Sequence, residues 1–171
     1  WDVNLGTLDS TALVVDGATL AIDGLASVTL DGSLAIAQIT PDGETQARYT
    51  AIKMGDVNVS ASTPTPGAFA VDGTLTIDEL DYNHAADGFD RLDWNTALDL
   101  DDDGFIDLVD PGADLTPPVV LTINLPDTLH YRVNGNVTST DANTPLLTAG
   151  PVTITGSADF ALSRWAVHLG T

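Results

Sequence analysis

The stretch SVTLDGSLAIAQI, residues 27–39, places apolar residues at every second position, and AFAVDGTLTIDEL, residues 68–80, repeats the arrangement. Side chains alternate between the two faces of an extended chain, so a period of two predicts half-buried β-strands. Each stretch reads as strand, turn, strand, because Asp-Gly between alternating runs suits a type I′ turn, which needs positive φ at both central residues. QITPDGETQARYTAI predicts a further turn at Pro-Asp-Gly, and DVNVSASTPTPGAFAV predicts two strands around a proline-broken loop over 62–67.

An aliphatic residue followed by Asp, Asn or Thr and then Gly recurs along the chain. It occurs at Val15-Asp16-Gly17, Leu30-Asp31-Gly32, Val71-Asp72-Gly73, Val133-Asn134-Gly135 and Ile154-Thr155-Gly156. The unequal spacings do not fit a solenoid period. The unit marks hairpin turns or, alternatively, glycine bulges inside longer strands.

From about residue 80 to 118 the alternation stops, and eleven carboxylates accompany one cation, Arg91. Within this segment FDRLDWNTAL, residues 89–98, spaces Phe89, Leu92 and Leu98 to suit one face of a short helix. Pro117-Pro118 closes the segment, and strands are expected again in VVLTINLP, LHYRVNGNVTST, PVTITG and ADFALSRWAVHL. The pattern predicts one all-β domain over 1–171. Its expected form is an antiparallel β-sandwich, Greek-key and immunoglobulin-like or jelly-roll-like, with an acidic insertion at 80–118 that carries the short helix.

Composition narrows the partners. The chain holds 25 acidic and 5 basic residues, a formal net charge of −20, and its one lysine is Lys53. Such a surface repels nucleic acid and anionic membranes and attracts cations. There is no cysteine, so an extracellular protein of this sequence would take its stability from packing, metal or assembly. No apolar run approaches the ~20 residues of a membrane-spanning helix. The sequence begins at Trp1 and has Met54 as its one methionine, which fits a processed chain or a piece of a longer one.

The densest charge lies in DLDDDGFIDLVD, residues 99–110. Its spacing is that of a calcium loop: Asp99, Asp101 and Asp103 at positions 1, 3 and 5, Gly104 at 6, and the Phe105 carbonyl at 7, followed by Asp107 at 9 and Asp110 at 12. Alternate side chains turn inward as such a loop wraps an ion, and glycine at 6 permits the sharp turn. Ile106 at position 8 is expected to pack the loop against its surroundings. A set of hard oxygen ligands this large suits Ca²⁺ better than Mg²⁺. Asp102 falls between ligand positions and is expected to face solvent.

The twelve residues resemble the Asp-x-Asp-x-Asp-Gly loops of EF-hands and, with aspartate last, those of dockerins and other secreted bacterial modules. Pro111-Gly112 follows at once, which rules out an outgoing helix, and no second loop is present. What the resemblance implies is therefore calcium binding, without a dockerin's partner or a sensor's opening.

Other candidate chemistry is thinner. His84, His130 and His168 share no zinc-ligand spacing, and no nucleophile elbow, phosphate loop or cysteine nucleophile is visible. No catalytic residue is assigned. Asp87, Asp90, Asp93 and Asp114 follow no metal template. Trp94 is expected to pack the short helix onto the sheet, Trp165 to pack in the core or on a sheet face, and Trp1 to need a partner. Asn58 and Asn136 stand in N-glycosylation triplets, and STPTP, residues 62–66, suits O-glycosylation.

These features predict a non-catalytic, calcium-stabilised structural module, secreted to an extracellular cell surface. It would be a subunit of a surface filament or a repeat of a large adhesin. Self-association by strand pairing is the expected partnership. The alternative is a glycan-binding module of a secreted multidomain protein, with calcium shaping the sugar site.

Overall fold

The computed structural model describes residues 6–22, 26–62, 69–141, 143–149 and 152–167. Eight strands form an antiparallel sheet: β1 (Gly6–Ile22), β2 (Ala26–Pro41), β3 (Tyr49–Ser62), β4 (Phe69–Ala85), β5 (Leu129–Ser139), β6 (Leu147–Ala149), β7 (Val152–Ile154) and β8 (Ser157–Trp165). The main path runs β1-β2-β3-β4-β5-β8, while β6 pairs with the start of β4 and with β7. The expected all-β class is what the chain adopts. Among the described residues, however, the second sheet of a sandwich is absent. The irregular stretch 86–128 lies against one face of the single sheet in its place.

The Asp-Gly units explain why the strands are longer than the alternating runs predict. Asp16-Gly17 and Asp31-Gly32 do not end strands; they sit inside β1 and β2, at shifts of register between Val15 and Ala18 and between Asp31 and Ser33. Gly17 takes a φ of 63°, the left-handed conformation a bulge exploits, and Asp31 Oδ1 accepts its backbone N–H at 2.5 Å. SVTLDGSLAIAQI is thus one continuous strand, as is AFAVDGTLTIDEL from Phe69 onward. The bulge reading holds at Asp16-Gly17; at Asp31-Gly32 the extra residue belongs to β3, where Asp56 (φ 53°) and Val57 stand opposite Gly32, and Asp72-Gly73 keeps its register, so none of the three is a hairpin turn. At Pro41-Asp42-Gly43 the predicted turn is real, closed by the Glu44 N–H donating to the Pro41 carbonyl at 3.1 Å. The predicted loop over 62–67 lies, past Ser62, outside the described residues.

β4 continues to Ala85 and β5 begins at Leu129, so VVLTINLP stays within the irregular layer; its one ladder contact is the Val109–Ile123 bridge. FDRLDWNTAL forms turns instead of a helix. The Asp93 carboxylate accepts from the Asn95 backbone N–H at 2.9 Å, and the Trp94 N–H donates to the Leu125 carbonyl at 2.9 Å. Local side-chain capture and a tertiary bond thus take the groups a helix would need. The one helical turn described is a 3-10 helix at Pro111–Asp114.

The register fixes two unlike faces. On one, Ala35, Ala37 and Ala51 are fully buried, and their small side chains let Trp94, Val109, Leu121, Ile123, Leu125 and Leu129 close over them. Asp81 is also fully buried there, with Arg132 Nη2 at 2.6 Å from its Oδ2 and Lys53 Nζ at 3.8 Å from its Oδ1. Lys53 donates to Asn124 Oδ1 at 2.8 Å, and Arg132 also reaches Glu79 at 2.6 Å. On the opposite face, cross-strand partners run apolar from edge to edge: Leu13, Leu34, Met54, Leu80, Val133 and Leu162 form one row. Ile36, Ile52, Tyr82 and Tyr131 form most of the row beside it.

Candidate metal centre

Three of the six predicted ligands converge. One carboxylate oxygen from each of Asp99, Asp101 and Asp107 lies within 4.8 Å of the others, the spread of oxygens around a single hard cation. The loop is clasped at its base, where the Asp107 N–H donates to the Leu98 carbonyl at 2.8 Å and the Leu100 N–H donates to Asp107 Oδ2 at 2.7 Å. Asp99 organises the turn, accepting the Asp103 N–H on Oδ1 at 3.2 Å and the Gly104 N–H on Oδ2 at 2.9 Å. Gly104 takes a φ of 85°, which permits this reversal.

The other three predicted ligands stand differently. Asp103 lies outside the converging group and accepts the Phe105 N–H on Oδ1 at 2.8 Å. The Phe105 side chain is 73% exposed, so its residue sits on the loop's open side. Asp110 is a structural residue: its Oδ1 accepts the N–H groups of Gly112 at 3.2 Å and Leu121 at 2.9 Å, capping the 3-10 helix and tying it to the next segment. Pro111 sets that use, since a tight turn starting there draws the Asp110 carboxylate onto its own N-terminus and away from the loop. Ile106 is half exposed and does not pack the loop inward.

Asp99, Asp101, Asp102 and Asp103 are exposed, and none of the ion pairs among the described residues involves the loop. Their mutual repulsion has no basic side chain to offset it, which favours a bound cation. Asp87, Asp90, Asp93 and Asp114 join no such group. Arg91 near them is committed elsewhere, donating to the Asp127 carbonyl at 2.7 Å and lying 3.1 Å from His130 Nδ1.

Of the histidines, His84 stacks on Tyr82 with ring centroids 5.8 Å apart, and His168 lies outside the described residues. Desolvation, together with the positive charges of Arg91 and Arg164, pushes His130 below its usual value. A histidine whose folded value is depressed resists protonation in the fold, so stability is full above the unfolded value of about 6.5 and falls as pH drops through it. His130→Gln should therefore lose less stability than wild type between neutral and mildly acidic pH. Urea titrations across that interval check it; parallel curves would contradict it.

The tryptophans divide. Trp94 is wholly buried, though it packs a turn and not the expected helix onto the sheet, and donates Nε1–H to Asn83 Oδ1 at 3.2 Å. Trp165, expected in the core or on a sheet face, stays 43% exposed on edge strand β8, and Trp1 lies outside the described residues. Sequence reasoning missed Asp81, Lys53, Arg132 and Asn83, the polar groups under the layer. The signal was present in the chain's one lysine, which falls in phase with Ala35 and Ala51 on strands that otherwise alternate cleanly. Comparison with protein-family models, with curated proteins and with solved structures gave no match for this chain.

Proposed function

We propose that the protein is a non-catalytic, calcium-stabilised structural module of an extracellular surface, serving as a subunit of a filament or a repeat of a large adhesin. The observation that carries the reading is the meeting of the Asp99, Asp101 and Asp107 carboxylates without a protein cation to neutralise them. Ca²⁺ supplies that charge, and the Phe105 carbonyl, Asp103 and water are the oxygens available to complete its shell. The ion would order a loop that otherwise repels itself and hold the end of the irregular layer against the sheet. The outer edges of β1 and β8 support assembly, because among the described residues each has a partner on one side only. Strand addition at those edges would join neighbouring modules edge to edge. An acidic surface at −20 suits a calcium-bearing exterior, where counterions are plentiful.

Calorimetry with calcium and terbium luminescence test the site. Wild type should bind one ion, and Asp101→Asn with Asp107→Asn should abolish binding while leaving the β circular-dichroism signal. At free calcium about 100 times Kd the ion adds about 2.7 kcal/mol of stability, which excess chelator should remove. Equal melting temperatures with calcium and with chelator would overturn the reading.

A further inference from the structure

The sheet face opposite the buried layer carries two adjacent rows without charge, beside a third that runs from Thr11 through Ile36, Ile52, Tyr82 and Tyr131 to Arg164, and nothing among the described residues covers it. In the row Leu13, Leu34, Met54, Leu80, Val133 and Leu162, the edge residues Leu13 and Leu162 are 50% and 58% exposed, and the four between them are half-buried. The next row towards the bulges continues the surface through Val15, Ile77 and Phe160, with glycines at 32 and 135 and with Val57 buried against Gly32. Neither row contains a charged residue, although the chain as a whole stands at −20.

The size of the face indicates what it meets. Beyond the bulges a fourth row passes through Ala18, Val59, Leu75, Val137 and Ala158. Six strands at about 4.8 Å spacing, counted with their side-chain margins, span about 29 Å, and the four rows of alternate residues span about 27 Å. The resulting area, roughly 800 Å², exceeds the largest apolar patch of a typical monomer, about 300–600 Å². It also equals the ~800 Å² that each partner contributes to a stable interface.

We infer that this face is covered by the same face of a second copy of the chain, so that two sheets stack about 10 Å apart as a β-sandwich built from two molecules. A charged partner finds nothing to pair with in the two central rows. A matching uncharged apolar sheet is what fits, and the chain itself presents one. A two-fold axis through the middle of the face makes the contact self-complementary and brings the central strands β3 and β4 of the two copies over one another. The outer faces keep the acids apart, and salt strengthens the pair because screening at ~0.15 M reaches only about 8 Å. This pairing does not depend on the calcium site and leaves the β1 and β8 edges free.

Light scattering behind size exclusion, run with calcium and again with excess chelator, should report twice the chain mass in both. A monomer in both conditions over a wide concentration range overturns the inference, whatever the outcome of ion binding. Met54→Glu with Leu80→Glu should yield a folded monomer; a folded dimer in that variant overturns it as well. Because the chain has no cysteine, single replacements locate the contact without mutating the core. Met54→Cys should cross-link to dimers with a short bis-maleimide. Ser60→Cys, exposed on the other face of the same strand, should not, and the reverse result contradicts face-to-face pairing.

Discussion

Replacing Arg132 with methionine will destabilise the fold by about 1–3 kcal/mol, the cost of leaving a buried carboxylate oxygen without its hydrogen-bonded partner. Asp81 is fully buried beneath the irregular layer, and Arg132 is its nearest cation at 2.6 Å. Lys53, at 3.8 Å from the other oxygen, already donates to Asn124 and cannot replace a direct hydrogen bond. Methionine fills much of the arginine's volume, so the loss reports charge and hydrogen bonding more than a cavity. Adding Asp81→Asn to Arg132→Met should restore much of the stability, because the buried charge that has lost its hydrogen-bonded cation is then gone. Chemical denaturation of the three variants measures this. A double variant no more stable than Arg132→Met would mean that packing, not charge, dominates at this position.

Trp94→Ala will cost more, about 3–5 kcal/mol, the range for removing a fully buried aromatic side chain. The indole is the largest fully buried side chain, seated over the alanines of β2 and β3. It also carries a polar role: Nε1–H donates to Asn83 Oδ1, while Asn83 Nδ2 donates to the carbonyls of Leu92 and Pro126, both at 2.9 Å. One buried amide thereby ties both ends of the layer to β4. Trp94→Phe keeps the ring packing but orphans Asn83 Oδ1, and should cost about 1–3 kcal/mol. For a domain of this length each kcal/mol lowers Tm by about 2–4 °C, so the two variants separate in a thermal melt. Equal melting of Trp94→Phe and wild type would assign Trp94's contribution to packing alone.

Much of the sheet is legible in the sequence because a period of two leaves a clean trace on strands with one apolar face. The strand ends are not. Asp-Gly specifies positive φ equally well in a hairpin turn and in a bulge, and the neighbours that decide between them are distant in sequence: Asp31 holds Gly17 from fourteen residues away. FDRLDWNTAL shows the same limit in the irregular layer, since its apolar spacing suits a helix while Leu125 claims the Trp94 N–H. The sandwich expectation assumed that each apolar face is buried within one chain, whereas among the described residues only the alanine-lined face is covered.

The candidate centre was legible as far as the chain is local. Asp99, Asp101, Gly104 and Asp107 stand within nine residues, and their geometry follows from spacing and one positive φ. Asp110 was not, because Pro111 recruits its carboxylate to a helix end and Leu121 holds it there from eleven residues on. In Asp103 the template competes with an ordinary Asx turn to Phe105, a choice that spacing alone does not encode.

The measurement that bears most directly on the account is anomalous diffraction from crystals grown with calcium, collected where the ion scatters anomalously. One peak should stand between the carboxylates of Asp99, Asp101 and Asp107, at about 2.3–2.6 Å from an oxygen of each. A map without that peak, with the three side chains turned apart into solvent, would contradict it.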